Sequence, residues 1–148
     1  MKIRPVTKLD RSQWMRMRCA LWPGDDSTHA NEIDRFFAVS LREPKTVLVA
    51  DEDGVLKGFI ELSIRAYAEG CVTDRITYLE GLYVEEEARG QGIGRALVAA
   101  AEDWARSKGC IEFASDAELD NEVSARIHKS LGFEEVGQIR CFRKSIKK

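Results

Sequence analysis

The sequence predicts a single α/β domain over residues 1–148, in which about four helices flank a mixed, mostly antiparallel sheet of six or seven strands. Two observations support this fold class. Segments with helical apolar spacing interleave with short β-branched segments, as is typical of a sheet covered by helices. In addition, 44% of the 148 residues are hydrophobic and 32% are charged, which is enough to bury one core without disulfides or metals.

The N-terminal elements are predicted from local signals. A short strand near residues 3–6 precedes Asp10, and Gln13 three residues later completes a capping-box pattern for a helix that runs to Leu21. The sequence Trp-Pro-Gly at 22–24 is expected to end this helix.

A second helix is predicted after the polar loop that follows. Its apolar residues recur at near-helical spacing, and the helix is expected to stop before Pro44 because the residue before a proline disfavours helical geometry. These apolar residues are Ile33, Phe36, Phe37 and Leu41.

The remaining elements alternate strands with helices. Residues 46–50 and 58–65 form two strands joined by a turn at 51–54, and a polar link then leads to a strand at 76–84. In the strand at 58–65, apolar residues alternate with Glu61, Ser63 and Arg65. The last elements are a helix at 93–108, a strand at 111–114, a helix at 121–131, and one or two strands within 134–146, with Gly109 and Gly132 ending the helices.

Charge and cysteine content exclude several classes of protein. The formal net charge is only −2, so no global field would hold the chain on nucleic acid or on an anionic membrane. The N-terminus lacks the apolar core of a signal peptide, and no stretch approaches the roughly 20 apolar residues that cross a bilayer, so a cytoplasmic location is expected. The four cysteines lie far apart without a CxxC pair, and we therefore expect reduced structural thiols and no metal site.

A glycine-rich loop lies between the strand at 76–84 and the helix at 93–108. Its N–H groups would converge at the positive end of the helix dipole and could hold a phosphate, although a simple turn is the alternative. A P-loop is excluded because Arg95-Ala96 replaces the Lys and the Ser or Thr that must follow the last glycine, and the glycine spacing is wrong for a dinucleotide site. The loop reads Arg89-Gly90-Gln91-Gly92-Ile93-Gly94.

Two separated motifs resemble the coenzyme-A-binding half of GNAT acetyltransferases. They are YLEGLYV followed by RGQGIG, and N-x-x-S-x-x-x-H-x-x-x-G-F from Asn121 to Phe133. The resemblance implies a GNAT fold and acetyl-CoA as co-substrate, with the pyrophosphate on the loop amides and the pantetheine arm on the strand backbone and on Asn121. The implied cofactor-binding residues are Leu82, Tyr83, Val84, Arg89, Gly90, Gln91, Gly92, Ile93, Gly94, Arg95 and Asn121.

The second motif carries His128 where the family often has a tyrosine that protonates the leaving thiolate. An imidazole titrates near neutrality and could do the same work, so His128 is a candidate acid. On an amphipathic helix it could equally be a packing or capping residue.

Acetyl transfer to an amine favours a carboxylate near the thioester, because aliphatic amines are mostly charged at neutral pH and must lose a proton to react. Glu80 interrupts an apolar strand, and Asp116 lies just beyond the strand at 111–114, so a parallel pairing of these strands would bring the two acids together. Alternatively, Glu80 faces solvent and Asp116 caps a turn.

A finer resemblance is to the aminoglycoside 6'-N-acetyltransferases. The shared segments are LWPG at 21–24, YLEGLYV at 78–84, ASD at 114–116 and the GFEE-ended motif at 121–135. The resemblance implies that Trp22, Tyr67, Glu80 and Asp116 form the antibiotic site, and that the protein is a homodimer. By their positions alone, Trp22 could instead close a helix end and Tyr67 could be an exposed strand terminus.

The implied reaction is a direct attack of the substrate amine on acetyl-CoA in a ternary complex. None of the four cysteines is placed as a nucleophile next to a base, so no acetyl-enzyme is expected. Two alternatives stay open: an acetyltransferase acting on another small polyamine or on a peptide or protein amine, and a non-catalytic module that binds coenzyme A and regulates a partner.

Overall fold

The structure is a computed structural model that describes residues 1–39 and 44–147. They form two compact units, Met1–Asp116 and Ala117–Lys148. Within the described ranges there are five strands, β1 (Lys2–Pro5), β2 (Thr46–Glu52), β3 (Val55–Arg65), β4 (Ile76–Val84) and β5 (Glu112–Ala114). The same ranges hold four α-helices, α1 (Arg11–Leu21), α2 (Asp26–Phe37), α3 (Ile93–Ser107) and α4 (Glu122–Ser130), of which only α4 belongs to the second unit.

The five strands form one sheet in the order β1-β2-β3-β4-β5. Every neighbouring pair is antiparallel except β4 and β5, which are parallel and are connected through α3. A parallel pair needs such a crossover, because a tight turn reverses the chain direction. The prediction of a mixed, mostly antiparallel sheet with about four helices is confirmed.

The predicted count of six or seven strands is wrong for the described residues, because residues 134–146 contain no strand there. The apolar residues of this segment explain the weak signal. Val136, Ile139, Phe142 and Ile146 recur every three or four residues, whereas a half-buried strand repeats every two. All four side chains are more than half exposed, so burial does not fix a register for them.

Helices cover both faces of the sheet. Phe59 of β3 packs in a buried cluster with Trp14 and Met17 of α1 and Ile33 of α2. The preceding residue, Gly58, faces the opposite way, and a Cβ built on it would lie 3.3 Å from Leu97 of α3. Because successive strand residues point to opposite faces, α1 and α2 cover one face and α3 covers the other.

Two features of the helix ends differ from the sequence-based expectation. Asp10 precedes α1 but does not cap it, since its carboxylate accepts from Arg4 and from the backbone N–H of Thr7. Gln13 does not complete a capping box either, because its side chain bonds the backbone of Gly54 and of Leu56 in the β2–β3 hairpin. Asp10 is therefore engaged by residues that precede the helix, and Gln13 by a hairpin distant in the chain.

The second helix begins earlier than expected. Asp25 caps α2 by accepting from the backbone N–H of Thr28, so the segment predicted as a polar loop already forms the first helical turn. Leu41, expected on the apolar face of this helix, lies outside the described residues. Among the helices that are described, none is both long enough and apolar enough to span a membrane.

Candidate active site

Glu80 occupies a β-bulge in β4. In the β3–β4 register Leu62 pairs with Leu79 and Glu61 pairs with Gly81, which leaves Glu80 as the additional residue. A bulge interrupts the ladder and re-aims a side chain. The Glu80 side chain is 17% exposed, so this carboxylate is neither buried in the core nor fully solvated.

An open cleft of about 370 Å³ lies beside this bulge in the first unit. Three carboxylates and one guanidinium lie along its wall, so acidic side chains outnumber basic ones among the lining residues, as suits a cationic ligand. The lining residues are Arg18, Trp22, His29, Glu32, Glu61 and Glu80.

Trp22 lies against Gly81, the neighbour of Glu80 in β4. A Cβ built on Gly81 would be 2.4 Å from Trp22 Cη2, so the indole occupies the space that any larger residue would need. The indole ring also stacks with His29 at a centroid distance of 6.2 Å, and the guanidinium of Arg18 lies 5.2 Å from the centroid of the indole. His29 Nε2 also lies 2.8 Å from the Trp22 carbonyl oxygen. Trp22 therefore forms a rigid aromatic wall of the cleft.

Glu61 forms the buried floor of the cleft. It accepts a hydrogen bond from Trp14 Nε1 at 3.0 Å, and Arg18 Nε lies 3.0 Å from the same carboxylate. Burial raises the pKa of Glu61 to about 7, against the opposing effect of the nearby Arg18 charge. Arg18 also donates to Glu32 at 2.6 Å, so one guanidinium joins two acidic residues of the wall.

A second arginine, Arg65, connects the two acids predicted from the sequence, Glu80 directly and Asp116 through Tyr78. Arg65 Nη2 donates to both carboxylate oxygens of Glu80, at 2.5 and 2.7 Å, and its guanidinium lies 3.6 Å from the centroid of the Tyr78 ring. The Tyr78 hydroxyl in turn donates to Asp116. Burial raises the pKa of Tyr78, so this hydroxyl keeps its proton as a donor.

The parallel pairing of β4 and β5 was expected from the sequence and is confirmed. Ala114 pairs with Tyr78, and Asp116 follows two residues beyond Ala114, so it continues toward the level of Glu80 two residues beyond Tyr78. Glu80 itself lies within β4 at the bulge and not at the strand end.

The glycine loop has the geometry of an anion cradle. Gly90 and Gly92 have φ values of +80° and +84°, which side chains rarely allow, and nothing lies within 4 Å of a Cβ built at either position. The first i to i−4 hydrogen bond of α3 runs from Ala96 to Gly92, so the amides of Ile93 and Gly94 come before the helical ladder begins. The loop is tied back to β4 by Arg89, whose Nε donates to the Val84 carbonyl at 2.9 Å.

Within the sheet of the first unit, the edge of β4 that faces β5 lacks a neighbouring strand over most of its length. β5 pairs only with Ile76, Thr77 and Tyr78, whereas β4 continues for six more residues to Val84. In the sheet of the first unit, the backbone of Leu82–Val84 therefore bonds β3 on one side and has no strand on the other. An extended amide-containing chain could bind there as a strand does.

The two motif residues of the second unit have defined local roles. Asn121 caps α4 by accepting from the Ser124 N–H at 3.0 Å. His128 Nδ1 lies 2.8 Å from the Ser124 carbonyl oxygen and its ring contacts Phe133 edge-on. Since a carbonyl can only accept, this distance assigns the proton of a neutral His128 to Nδ1 and leaves Nε2 as the acceptor.

Tyr67 is not among the residues that line the cleft. Its side chain is 68% exposed, and its hydroxyl donates to Glu69 at 3.1 Å. Of the four residues expected at the acceptor site, the structure places Trp22 and Glu80 on the cleft wall and joins Asp116 to them through Tyr78 and Arg65.

Sequence reasoning missed several residues around the cleft. Glu61 and Ser63 alternate with apolar residues and so resemble a solvent-facing row, but both are buried, because α1 and α2 cover that face. The sequence showed only three polar residues at alternate positions of one strand, and whether they are buried depends on helices distant in the chain. The other missed residues are Arg18, His29, Glu32, Arg65 and Tyr78.

Comparison with known proteins agrees with this geometry. The profile of the Acetyltransferase (GNAT) family matches residues 10–133. An aminoglycoside N(6')-acetyltransferase type 1 of Klebsiella aerogenes is 50% identical over 146 residues, covering 97% of this chain and 96% of that protein. The corresponding enzyme of Acinetobacter baumannii is 35% identical, covering 99% of each chain.

Solved structures agree as well. The apo 6'-N-acetyltransferase AAC(6')-IG of Acinetobacter haemolyticus superposes with a TM-score of 0.92 at 35% identity, covering 99% of this chain and 100% of that one. AAC(6')-Iy in complex with the bisubstrate analogue CoA-S-monomethyl-acetylneamine gives a TM-score of 0.88 at 35% identity, covering 98% of each chain. The chain therefore belongs to the acetyltransferase (GNAT) family, in the branch that contains the aminoglycoside 6'-N-acetyltransferases.

Proposed function

We propose that this protein transfers the acetyl group of acetyl-CoA to the 6'-amino group of aminoglycoside antibiotics, and so confers resistance to them. The observation that carries the proposal is the acidic cleft at the Glu80 bulge of β4, in the strand whose open edge continues toward the glycine loop. The first feature suits a polycationic amine, and the other two suit coenzyme A. The 50% identity to the aminoglycoside N(6')-acetyltransferase of Klebsiella aerogenes over 146 residues supports the same assignment.

The coenzyme would lie along β4 and end at the loop. The amides at the start of α3, with Arg89, Gln91 and Arg95 around them, would hold the pyrophosphate, and the helix dipole favours negative charge there. The open backbone edge of Leu82–Val84 would bond the pantetheine amides, and Asn121 would contact the same arm. The residues present fit this group because the loop carries no side chain that fills the space over Gly90 and Gly92.

The reaction would be a direct displacement. The amine nitrogen attacks the thioester carbonyl carbon, the carbon–sulfur bond breaks, and the coenzyme leaves as a thiolate that takes up a proton. Glu80 would bind the substrate ammonium and accept its proton, directly or through water, with Asp116 assisting. His128 would protonate the thiolate from Nε2, which requires a ring that carries both protons because Nδ1 is already bonded to Ser124.

Two aromatic residues complete the proposed acceptor site. Trp22 would form its flat wall, since the indole is fixed against Gly81 and His29. Tyr67 would contact the antibiotic from its exposed position near Glu69.

We propose the following further properties of the protein. Residues 1–148 form one domain, which is supported by a family match that runs through both compact units. The exposed apolar residues Ile139 and Phe142 support a homodimer, which light scattering after gel filtration would test. We also propose a cytoplasmic location, because the proposed reaction consumes acetyl-CoA.

The test of the activity is thiol release from acetyl-CoA with kanamycin or tobramycin as acceptor. The control acceptor is an aminoglycoside that carries a hydroxyl in place of the 6'-amine. Turnover confined to the 6'-amino compounds is expected. Turnover with polyamines or peptides alone would overturn the proposed acceptor, and no turnover with any amine would favour a non-catalytic coenzyme-A-binding module.

A further inference from the structure

Arg65 lies between the two acidic residues of the proposed site. One of its terminal nitrogens donates to both oxygens of Glu80, and its guanidinium stacks on Tyr78, whose hydroxyl donates to Asp116. The four side chains form one continuous series of contacts. Arg65 therefore touches one carboxylate directly and reaches the other through a single aromatic ring.

The strand register explains this arrangement. Arg65 pairs with Ile76 across β3 and β4, so Tyr78 is its diagonal neighbour on the same face. Glu80 lies two residues further along β4, where the bulge shifts the ladder, and a side chain as long as arginine can reach it over the Tyr78 ring. Without the bulge, the ladder would pair Glu61 with Glu80.

The charges suggest what Arg65 does. Glu80 is the carboxylate that would bind the substrate ammonium, yet in the structure a cation already occupies it. The side chain of Arg65 is 36% exposed, compared with 17% for Glu80, so part of the arginine borders solvent although its Nε is buried, and the carboxylate is the more enclosed partner. Arg65 thus occupies the position of a cationic ligand before the ligand arrives.

We propose that Arg65 is a positioning residue: it preorders the Glu80 carboxylate until the ammonium group of the acceptor displaces it, and it then keeps Tyr78 directed at Asp116 during the reaction. The inference rests on the proposed function, because it takes Glu80 as the group that receives the amine. During the exchange the guanidinium keeps its contact with the Tyr78 ring, so the hydroxyl of Tyr78 stays directed at Asp116.

This role has a kinetic signature that a purely structural ion pair lacks. Because Arg65 competes with the acceptor for Glu80, its removal leaves the acceptor's KM unchanged or lower. Because Tyr78 loses the guanidinium that keeps its hydroxyl directed at Asp116 while the acceptor is bound, kcat falls. Loss of a merely structural contact would instead disorder the site, raising KM while kcat falls.

The test compares Arg65→Met, which keeps an unbranched side chain but removes the charge, with Arg65→Lys, which keeps the charge. Arg106→Met is the matched control, since it removes an arginine from an exposed pair with Asp103 on α3. With kanamycin as acceptor, we expect Arg65→Met to lower kcat about 10-fold or more without raising the acceptor's KM, and Arg65→Lys to recover most of the loss. A raised KM in Arg65→Met, or equal defects in the two variants, would overturn the inference.

A spectroscopic measurement separates this inference from the proposed function. The Nε–H signal of Arg65, identified by its loss in Arg65→Lys, is expected to shift when kanamycin or 1,4-diaminobutane is added without acetyl-CoA. If the wild-type protein binds either cation but does not acetylate kanamycin, the shift supports the exchange although the proposed acceptor is wrong. Saturable binding without a shift overturns the exchange even if kanamycin is acetylated, and binding of neither cation overturns both.

Discussion

The contact between Gly81 and Trp22 makes one substitution especially informative. In Gly81→Ala, the added Cβ would lie 2.4 Å from Cη2 and 2.6 Å from Cζ2 of the indole, whereas ordinary contacts begin near 3.4 Å. Gly81 is a buried residue whose backbone pairs with Glu61 of β3, so the strand has limited freedom to retreat, and the indole must move by about 1 Å.

The cost of this overpacking is expected to be about 1–3 kcal/mol of the free energy of unfolding. For a chain of this size, each kcal/mol lowers the melting temperature by about 2–4 °C. Since Trp22 forms the wall of the cleft, its displacement should also raise the acceptor's KM while the KM for acetyl-CoA stays near its wild-type value.

The assay is a double-mutant cycle with Trp22→Phe, because phenylalanine lacks the outer indole atoms that the new Cβ would meet. The four proteins are compared by urea denaturation and by steady-state kinetics with kanamycin. In the Trp22→Phe background, Gly81→Ala is expected to cost less than about 0.5 kcal/mol, as for a substitution without a steric conflict. Equal costs in the two backgrounds would refute our explanation of the glycine at position 81.

Three further predictions follow from single contacts. Glu61→Gln should flatten the pH dependence of stability. Between about pH 4.5 and 7 the folded wild-type protein holds a proton on Glu61 that the unfolded chain has lost, so its free energy of unfolding should fall by about 3 kcal/mol as the pH rises through that window. Urea titrations of both proteins at pH 5 and pH 8 would show the difference. Glu80→Gln should lower kcat/KM for kanamycin at least about 100-fold, with acetyl-CoA affinity by calorimetry unchanged, and an unaltered rate would contradict its role. Gly92→Ala should weaken acetyl-CoA binding and cost about 1 kcal/mol of stability, because its φ is +84°, whereas Ala99→Ser on the exposed side of α3 should change neither.

Elements with strong local signals were predicted well from the sequence. The strand Ile76–Val84 was predicted with its observed bounds, and α3 ends one residue before its predicted end, because a β-branched run, a glycine loop and a helical period each act over a few residues. Helix α4 likewise begins after Asn121, which caps it, and ends just before Gly132, which has a positive φ.

The parts that could not be predicted depend on distant pairing. The bulge that sets Glu80 apart depends on the register between two strands, which neither strand's own pattern specifies. The burial of Glu61 depends on distant helices, since its partner Trp14 in α1 lies 47 residues earlier in the chain, and the contact of Arg65 with Tyr78 depends on strand register. Residues 134–146 contain apolar residues, but a strand also needs a hydrogen-bonding neighbour.

The open edge of β4 has a consequence for the protein before coenzyme A binds. A row of unpaired N–H and C=O groups on a sheet is a template for pairing with any extended chain, and most proteins shield such edges with proline, charge or a short strand. In this protein the edge of β4 has to stay unpaired if coenzyme A is to bind there, so bound coenzyme A would itself cover the edge. Coenzyme occupancy should then protect the protein against aggregation as well as supply the acetyl group, and the empty protein should be the more aggregation-prone form.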